Sequence, residues 1–80
     1  MTVVKALKTR IENLLNERGI TLYSLAKDSG MYYGTLMKIM QEKNVSANLV
    51  TLMQISNGFN MTVSEFLNDP MFKAIAETMT

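Results

Sequence analysis

The sequence LYSLAKDSGMYYGTLMKI, residues 22–39, has the pattern of two short helices joined by a tight turn. Apolar side chains at helical spacing would wedge both helices against a third one, a small side chain would allow a close crossing, and a glycine would allow the positive φ of the turn. The pattern predicts a helix-turn-helix, although a plain αα-hairpin uses similar residues. The residues in these positions are Leu25, Ala26, Gly30, Leu36 and Ile39.

Helix-start signals extend the helical pattern to most of the chain. Thr21 is a suitable N-cap for the first helix of the pair, and Thr62 with Glu65 has the spacing of a capping box, which predicts a later helix. No segment alternates in the way that a half-buried strand requires. We therefore expect an all-α fold whose five helices span about residues 3–18, 22–29, 32–41, 48–57 and 63–68.

Apolar spacing predicts which face of each later helix is buried. In the third helix, Leu36 and Ile39 lie on the inward stripe, and the outer face is where function is sought. At the end of the fourth helix we expect Gly58 in a left-handed conformation, with Phe59 as its hydrophobic partner. The inward residues expected of the fourth helix are Leu49, Leu52, Met53 and Ser56.

The composition describes one small domain without catalytic equipment. The chain has 80 residues, of which 48% are hydrophobic, and it has neither Cys nor His. These absences exclude disulfides, thiolate chemistry, imidazole bases and the usual zinc ligands. The carboxylates are dispersed, and the isolated glycines form no phosphate-cradling loop. We expect a cytoplasmic protein that is not an enzyme and has no metal, no cofactor and no membrane segment.

Charge is distributed unevenly along the chain. Residues 1–43 carry seven Lys or Arg against four acids, whereas residues 44–80 carry one Lys against three acids. The first part is therefore positive and the second negative. This polarity suits a molecule that turns one end toward a polyanion, and a solvated basic face would give the same pattern.

A family resemblance covers about three quarters of the chain. The segments that carry it are RGITLYSLAKDSG (18–30), YYGTLMKI (32–39), LVTLMQISNGFNMTVSEFL (49–67) and NDPMF (68–72). In order and spacing they resemble the Cro/C1-type (XRE family) helix-turn-helix domain, which has a lambda-repressor-like fold. The resemblance implies a DNA-binding domain in residues 1–69 and a sequence-specific transcriptional regulator, expected to be a repressor. Its third helix, residues 32–41, would enter the major groove of double-stranded DNA.

The resemblance also implies a set of DNA-contacting residues. Positions 32–38 would face bases, while the start of the second helix and the loop after the third would face phosphates. Two positions depart from the family pattern. Gly34 has no side chain that could bond a base edge, and Leu22 stands where a glutamine often grips a phosphate. The expected DNA-binding residues are Thr21, Tyr23, Tyr32, Tyr33, Gly34, Thr35, Met37, Lys38, Gln41, Lys43 and Asn44.

These assignments have structural alternatives. We expect one of the rings of Tyr32 and Tyr33 to pack at the edge of the core, and each is equally suited to DNA contact. Helical phase predicts that Met37 projects outward, where it would touch a thymine methyl group or a protein partner, or would merely be tolerated. Lys38 is the best candidate for a base contact, because a cation on the outer face of this helix can reach guanine or phosphate. For the whole protein, the alternative is a protein-interaction module on the same fold with weak or no DNA binding. Low basicity, Leu22, Gly34 and the outward Met37 favour that alternative.

Residues 70–80 have the pattern of a short amphipathic helical tail. Pro70 is a residue favoured in the first turn of a helix, so it predicts that a new helix begins there, and the apolar residues that follow it lie on one stripe. A helix this short is unstable alone in water, so the stripe must be buried. We expect it to form the contact of a homodimer, and the alternative is that it folds back near the first or the fifth helix. The stripe consists of Met71, Phe72, Ile75, Ala76 and Met79.

Overall fold

The computed structural model describes residues 2–43 and 48–79, and these residues form six helices. The all-α fold expected from the sequence is confirmed, and the tail contributes the sixth helix. Among the described residues, no helix is long and apolar enough to cross a bilayer. The helices are α1 (Val3–Arg18), α2 (Leu22–Ser29), α3 (Tyr33–Met40), α4 (Leu49–Gly58), α5 (Val63–Leu67) and α6 (Pro70–Thr78).

The helix starts follow the capping signals of the sequence. The Thr21 hydroxyl accepts a hydrogen bond from the Ser24 backbone N–H at 3.1 Å. At α5 the box is reciprocal: the Thr62 hydroxyl accepts from the Glu65 N–H at 3.0 Å, and the Glu65 carboxylate accepts from the Thr62 N–H at 2.9 Å. Gly30 ends α2 with φ 73°, as the turn of a helix-turn-helix requires. Local hydrogen bonds therefore define where these helices begin and end.

A continuous apolar core joins the helices. The rings of Phe59 and Phe66 stack with their centroids 6.3 Å apart, and the ring of Phe72 lies 6.2 Å from that of Phe66. Because Phe72 belongs to α6, the tail folds back on the domain through this residue. The buried members of the core are Leu7, Ile11, Leu14, Leu25, Ala26, Leu36, Ile39, Ile55, Phe59 and Phe66.

The carboxyl end of α4 differs from the expectation. Gly58 lies inside the helix, and the left-handed residue is Asn60, with φ 58°. A Cβ atom on Gly58 would lie 2.8 Å from Leu25 Cδ1 and 2.8 Å from Ser29 Cβ. The missing side chain thus allows α4 to approach α2 closely, and the positive φ falls on an asparagine, which tolerates it better than most residues.

The buried face of α4 was also predicted only in part. Ser56 is buried and Leu52 is half-buried, but Leu49 and Met53 are exposed and Ile55 is buried in their place. The reason is that α4 docks on α2 through its carboxyl-terminal half, at Gly58. Its first turn therefore extends beyond the core.

Arg10 ties α1 to the junction between α5 and α6. Its Nε donates to the Phe66 carbonyl at 2.8 Å and its Nη2 to the Glu65 carbonyl at 3.2 Å. Nη1 lies 3.6 Å from Asp69 Oδ2, and the guanidinium carbon is 5.8 Å from the centre of the Phe66 ring. One half-buried side chain thereby satisfies two carbonyls at the end of a very short helix.

We expect the substitution Gly58→Ala to destabilise the fold. The added methyl group overpacks the α2–α4 contact, which costs about 1–3 kcal/mol, and better helix propensity offsets only about 0.5–1 kcal/mol of this. Gly34→Ala is the matched control, since a Cβ there would meet no described atom within 4 Å. Thermal unfolding should show a lower Tm for Gly58→Ala and an equal or higher Tm for Gly34→Ala. An unchanged Tm for Gly58→Ala would contradict the close crossing.

Acid should weaken the capping box of α5. The hydrogen bonds from Thr62 hold the pKa of Glu65 below its usual 4.5. A carboxyl whose pKa is lowered on folding stabilises the protein above its unfolded pKa, and this contribution is lost as the pH falls through the folded value. Urea unfolding as a function of pH should therefore show that the free energy of unfolding falls toward acid pH, and that it falls less in Glu65→Gln than in the wild type. Glu12→Gln removes a carboxylate outside the box and should behave as wild type; if both variants lose stability alike, the box contributes nothing.

Candidate functional site

The exposed side chains at the start of α2 and along α3 form a continuous surface. The ring of Tyr23, in the first turn of α2, lies 6.0 Å from that of Tyr33, in the first turn of α3, at an interplanar angle of 57°. This contact places the amino-terminal ends of the two helices side by side. We use the name α3 surface for the residues of α3 and of its two ends that do not pack into the core. They are Tyr32, Tyr33, Gly34, Thr35, Met37, Lys38 and Gln41.

Neither tyrosine of the α3 surface is a core residue. Tyr32 is 86% exposed and Tyr33 is 45% exposed, and Tyr33 packs its ring on that of Tyr23, which is itself 69% exposed. The expectation that one of these rings would fill the edge of the core is therefore wrong. Both rings are available on the surface, because the apolar positions of α3 that wedge into the core are Leu36 and Ile39.

The remaining residues of the α3 surface differ in how far they are exposed. Thr35, Lys38 and Gln41 are exposed, whereas Met37 is half-buried and so projects outward less than the helical phase predicted. Space around Gly34 is open, since a Cβ there would meet no described atom within 4 Å. These side chains present hydroxyl, methyl, amide and ammonium groups within two turns of helix.

The other sequence-predicted residues lie at the two ends of this surface. Thr21 is the N-cap of α2, so one lone pair of its hydroxyl is used by Ser24. Lys43 follows α3 and is exposed, and its backbone N–H donates to the Lys38 carbonyl at 3.0 Å. Asn44 lies outside the described residues.

Next to this surface lie two residues of α4 that were not predicted from the sequence. Thr51 and Gln54, with Gly30, Met31, Tyr32 and Thr35, line a shallow depression of about 180 Å³ beside the α3 surface. Helical phase placed both on the face of α4 opposite the positions assigned to the core, which marks them as surface residues and nothing more. Their proximity to Tyr32 depends on the α2–α4 crossing, which the sequence does not show.

Several cations of residues 1–43 are engaged inside the fold. Arg10 binds the α5–α6 junction, and Arg18 donates to the Phe59 carbonyl with its guanidinium 5.7 Å from the centre of that ring. Lys8 Nζ lies 3.8 Å from Glu42 Oε2. Fewer positive charges are therefore exposed for contact with a partner than the count of Lys and Arg in the sequence indicates. The exposed lysines of this part of the chain are Lys5, Lys27, Lys38 and Lys43.

The chemistry of the site is that of a weakly positive binding surface. The α3 surface has one cation, Lys38, and no acid. Lys43 adds a second positive charge beside it, next to Glu42, whose carboxylate lies 3.8 Å from Lys8 Nζ. No group of three acidic side chains among residues 2–43 and 48–79 is placed to hold a metal ion. The arrangement supplies hydrogen bonds, apolar contacts and modest electrostatic attraction.

Comparison with known protein families identifies the family of this chain's helical region. A family model described as the Cro/C1-type HTH DNA-binding domain matches residues 10–70. The matched region begins within α1 and reaches the first residue of α6, so it contains the whole α3 surface and the depression beside it. No curated protein and no solved structure matches the chain significantly.

Proposed function

Because the chain belongs to the Cro/C1-type helix-turn-helix DNA-binding family, we propose that it is a sequence-specific transcriptional regulator that inserts α3 into the major groove. The observation that carries this proposal is the exposed α3 surface, which lies inside the matched region and has no acidic residue. In the proposal, residues 1–69 bind DNA and repress transcription by occupying their site. The role is binding alone, in the cytoplasm, and includes no catalytic step.

The proposed docking places the two ends of the surface on the sugar-phosphate backbone. The first turn of α2, with Thr21 and Tyr23, offers backbone N–H and hydroxyl groups, and Lys43 offers a charge after α3. Such contacts set orientation and register without reading sequence. The contact between the rings of Tyr23 and Tyr33 links this positioning end to the helix that would read bases.

Selection of bound duplexes from a random DNA pool tests the proposal directly. A sequence-specific reader should enrich a short motif over several rounds, whereas a fold that has lost DNA binding should enrich none. One observation favours a protein-interaction module as the second candidate: Leu49 and Val50 in the first turn of α4 are each 64% exposed, and Met53 one turn later is also exposed. Failure to enrich any motif would therefore reject DNA reading and support that module.

Lys38 and Lys43 should affect DNA binding in different ways. Lys43→Ala should weaken binding to all duplexes alike and flatten the salt dependence by about one unit per subunit, as the loss of one phosphate contact does. Lys38→Ala should change the preference at one base pair, with a loss of about 1–3 kcal/mol for the favoured base. Titrations of the selected duplex and its single-base variants at several salt concentrations would measure both effects.

Lys73→Ala is the charge control for this pair, since Lys73 is an exposed cation on α6. It should leave both the salt slope and the base preference unchanged. If Lys38→Ala lost the same affinity for every duplex, Lys38 would be a contact to the DNA sugar-phosphate backbone and not to a base.

We propose that only part of the apolar stripe of the tail, residues 70–80, forms a dimer contact. Phe72 packs on the core, so the stripe expected from the sequence is divided between the domain and the surface. Met71, Ala74, Ile75 and Thr78 line a shallow groove of about 300 Å³ on α6, and Met79 is 73% exposed. We propose that this groove forms a two-fold contact, which would set two α3 helices about one DNA turn apart.

Ile75→Lys should convert the proposed dimer to a monomer and weaken DNA binding, although it adds a positive charge. Ser64→Lys, at an exposed position of α5, adds the same charge outside the groove and should leave the protein dimeric. Light scattering over a range of concentrations gives the mass of each variant. A wild-type protein that stays monomeric at high micromolar concentration would show that the tail only folds back.

A further inference from the structure

The amino-terminal half of the α3 surface is chemically neutral. Tyr32, Tyr33, Gly34 and Thr35 carry no ammonium, guanidinium, carboxylate or carboxamide group. Lys38 and Gln41, which do carry a charge or an amide, lie at the other end of the helix. In helix-turn-helix proteins it is the amino-terminal part of this helix that contacts base edges. The groups that would read the bases are therefore rings, hydroxyls and a methyl group.

Two of these residues are placed to act together. Tyr32 and Thr35 are three positions apart, which puts them on one face, and both line the 180 Å³ depression that Thr51 and Gln54 close on the α4 side. The Tyr32 side chain makes no capping hydrogen bond, and it is 86% exposed. Its ring is therefore not committed to the fold. Tyr33 differs, because its ring is held against that of Tyr23.

The chemistry of the base edges selects among the possible targets. In the major groove, guanine is read best by Arg or Lys, adenine by Asn or Gln, and cytosine by Asp or Glu, while the C5-methyl group of thymine is read by apolar contact. The amino-terminal half of α3 itself lacks the side chains for the first three, and the Thr35 hydroxyl can bond any base and so selects none. The carboxamide of Gln54 lines the depression from the α4 side. The amino-terminal half of α3 does have the γ-methyl of Thr35, the ring of Tyr32, and open backbone at Gly34 that lets a base edge approach.

We propose that Tyr32 and Thr35 are specificity-determining residues that recognise the C5-methyl groups of thymine. This inference rests on the proposed function, and it names the class of site that the protein binds: half-sites in which thymines face the amino-terminal end of α3. The depression between α3 and α4 accepts the methyl-bearing edge, and Lys38 reads or positions the duplex further along the helix.

The test replaces thymine by deoxyuracil, which removes the methyl group and leaves the hydrogen-bonding edge unchanged. A duplex selected from the random pool is resynthesised with deoxyuracil at one thymine at a time. At the thymines that face Tyr32 and Thr35, each replacement should weaken binding by about fourfold, the factor that corresponds to burying one methyl-sized group. Replacements elsewhere in the duplex should have no effect.

Two variants assign the effect to side chains. Thr35→Ser keeps the hydroxyl and removes the γ-methyl, so it should bind the thymine and deoxyuracil duplexes with nearly equal affinity at one position. Lys43→Ala is the control, because it should weaken both duplexes alike and preserve their ratio. Circular dichroism of each variant would show that the helices remain intact.

The outcomes separate this inference from the proposed function. If a motif is enriched but its deoxyuracil duplexes bind as tightly as the thymine duplex, methyl recognition is rejected and DNA reading stands. If no motif is enriched, DNA reading itself is rejected, and the inference falls with it. A motif whose binding depends on methyl groups, with the dependence lost in Thr35→Ser, supports both.

Discussion

The close contact of α2 with α4 at Gly58 is the constraint on which the arrangement of this small domain depends. α2 packs more extensively on α4 than on any other described helix, and the contact has no room for a methyl group at its centre. Both buried hydroxyls nearby are satisfied within their own helices, Ser29 by the Ala26 carbonyl at 3.1 Å and Ser56 by the Leu52 carbonyl at 2.7 Å. The interface is therefore tightly packed, and it sets the position of α2, the helix to which α3 is joined by the turn at Gly30.

The domain presents little positive charge because two of its cations are engaged in packing. Arg10 and Arg18, which belong to the basic first part of the sequence, bind the carbonyl groups and aromatic faces of Phe66 and Phe59. A protein of this size has few long-range contacts with which to hold α1 against α5, and a guanidinium can bind several acceptors at once. Electrostatic attraction is left to the exposed lysines, which is why the proposed DNA recognition gives weight to the uncharged part of the α3 surface.

Those parts of the structure that depend on local signals could be predicted from the sequence, and those that depend on distant contacts could not. The starts of α2 and α5 follow from Thr21 and Thr62, whose partners lie three residues away. The end of α4 was misjudged because the role of Gly58 is set by a neighbour about thirty residues earlier in the chain. For the candidate site, the residues of α3 were predicted from the motif and the family resemblance, and they stay a prediction. Placing Thr51 and Gln54 beside them required knowledge of how α4 lies next to α3.

The tie made by Arg10 also bears on how the chain folds as it is synthesised. Its carbonyl acceptors belong to Glu65 and Phe66, which are separated from it by 55 and 56 residues. α1 leaves the ribosome first and finds its partner only when most of the domain has been translated. Until then the nascent chain also lacks Phe66, a buried member of the core. The tie can therefore form only after α5 has been translated, and a chain that stops before Glu65 lacks both carbonyl acceptors of Arg10.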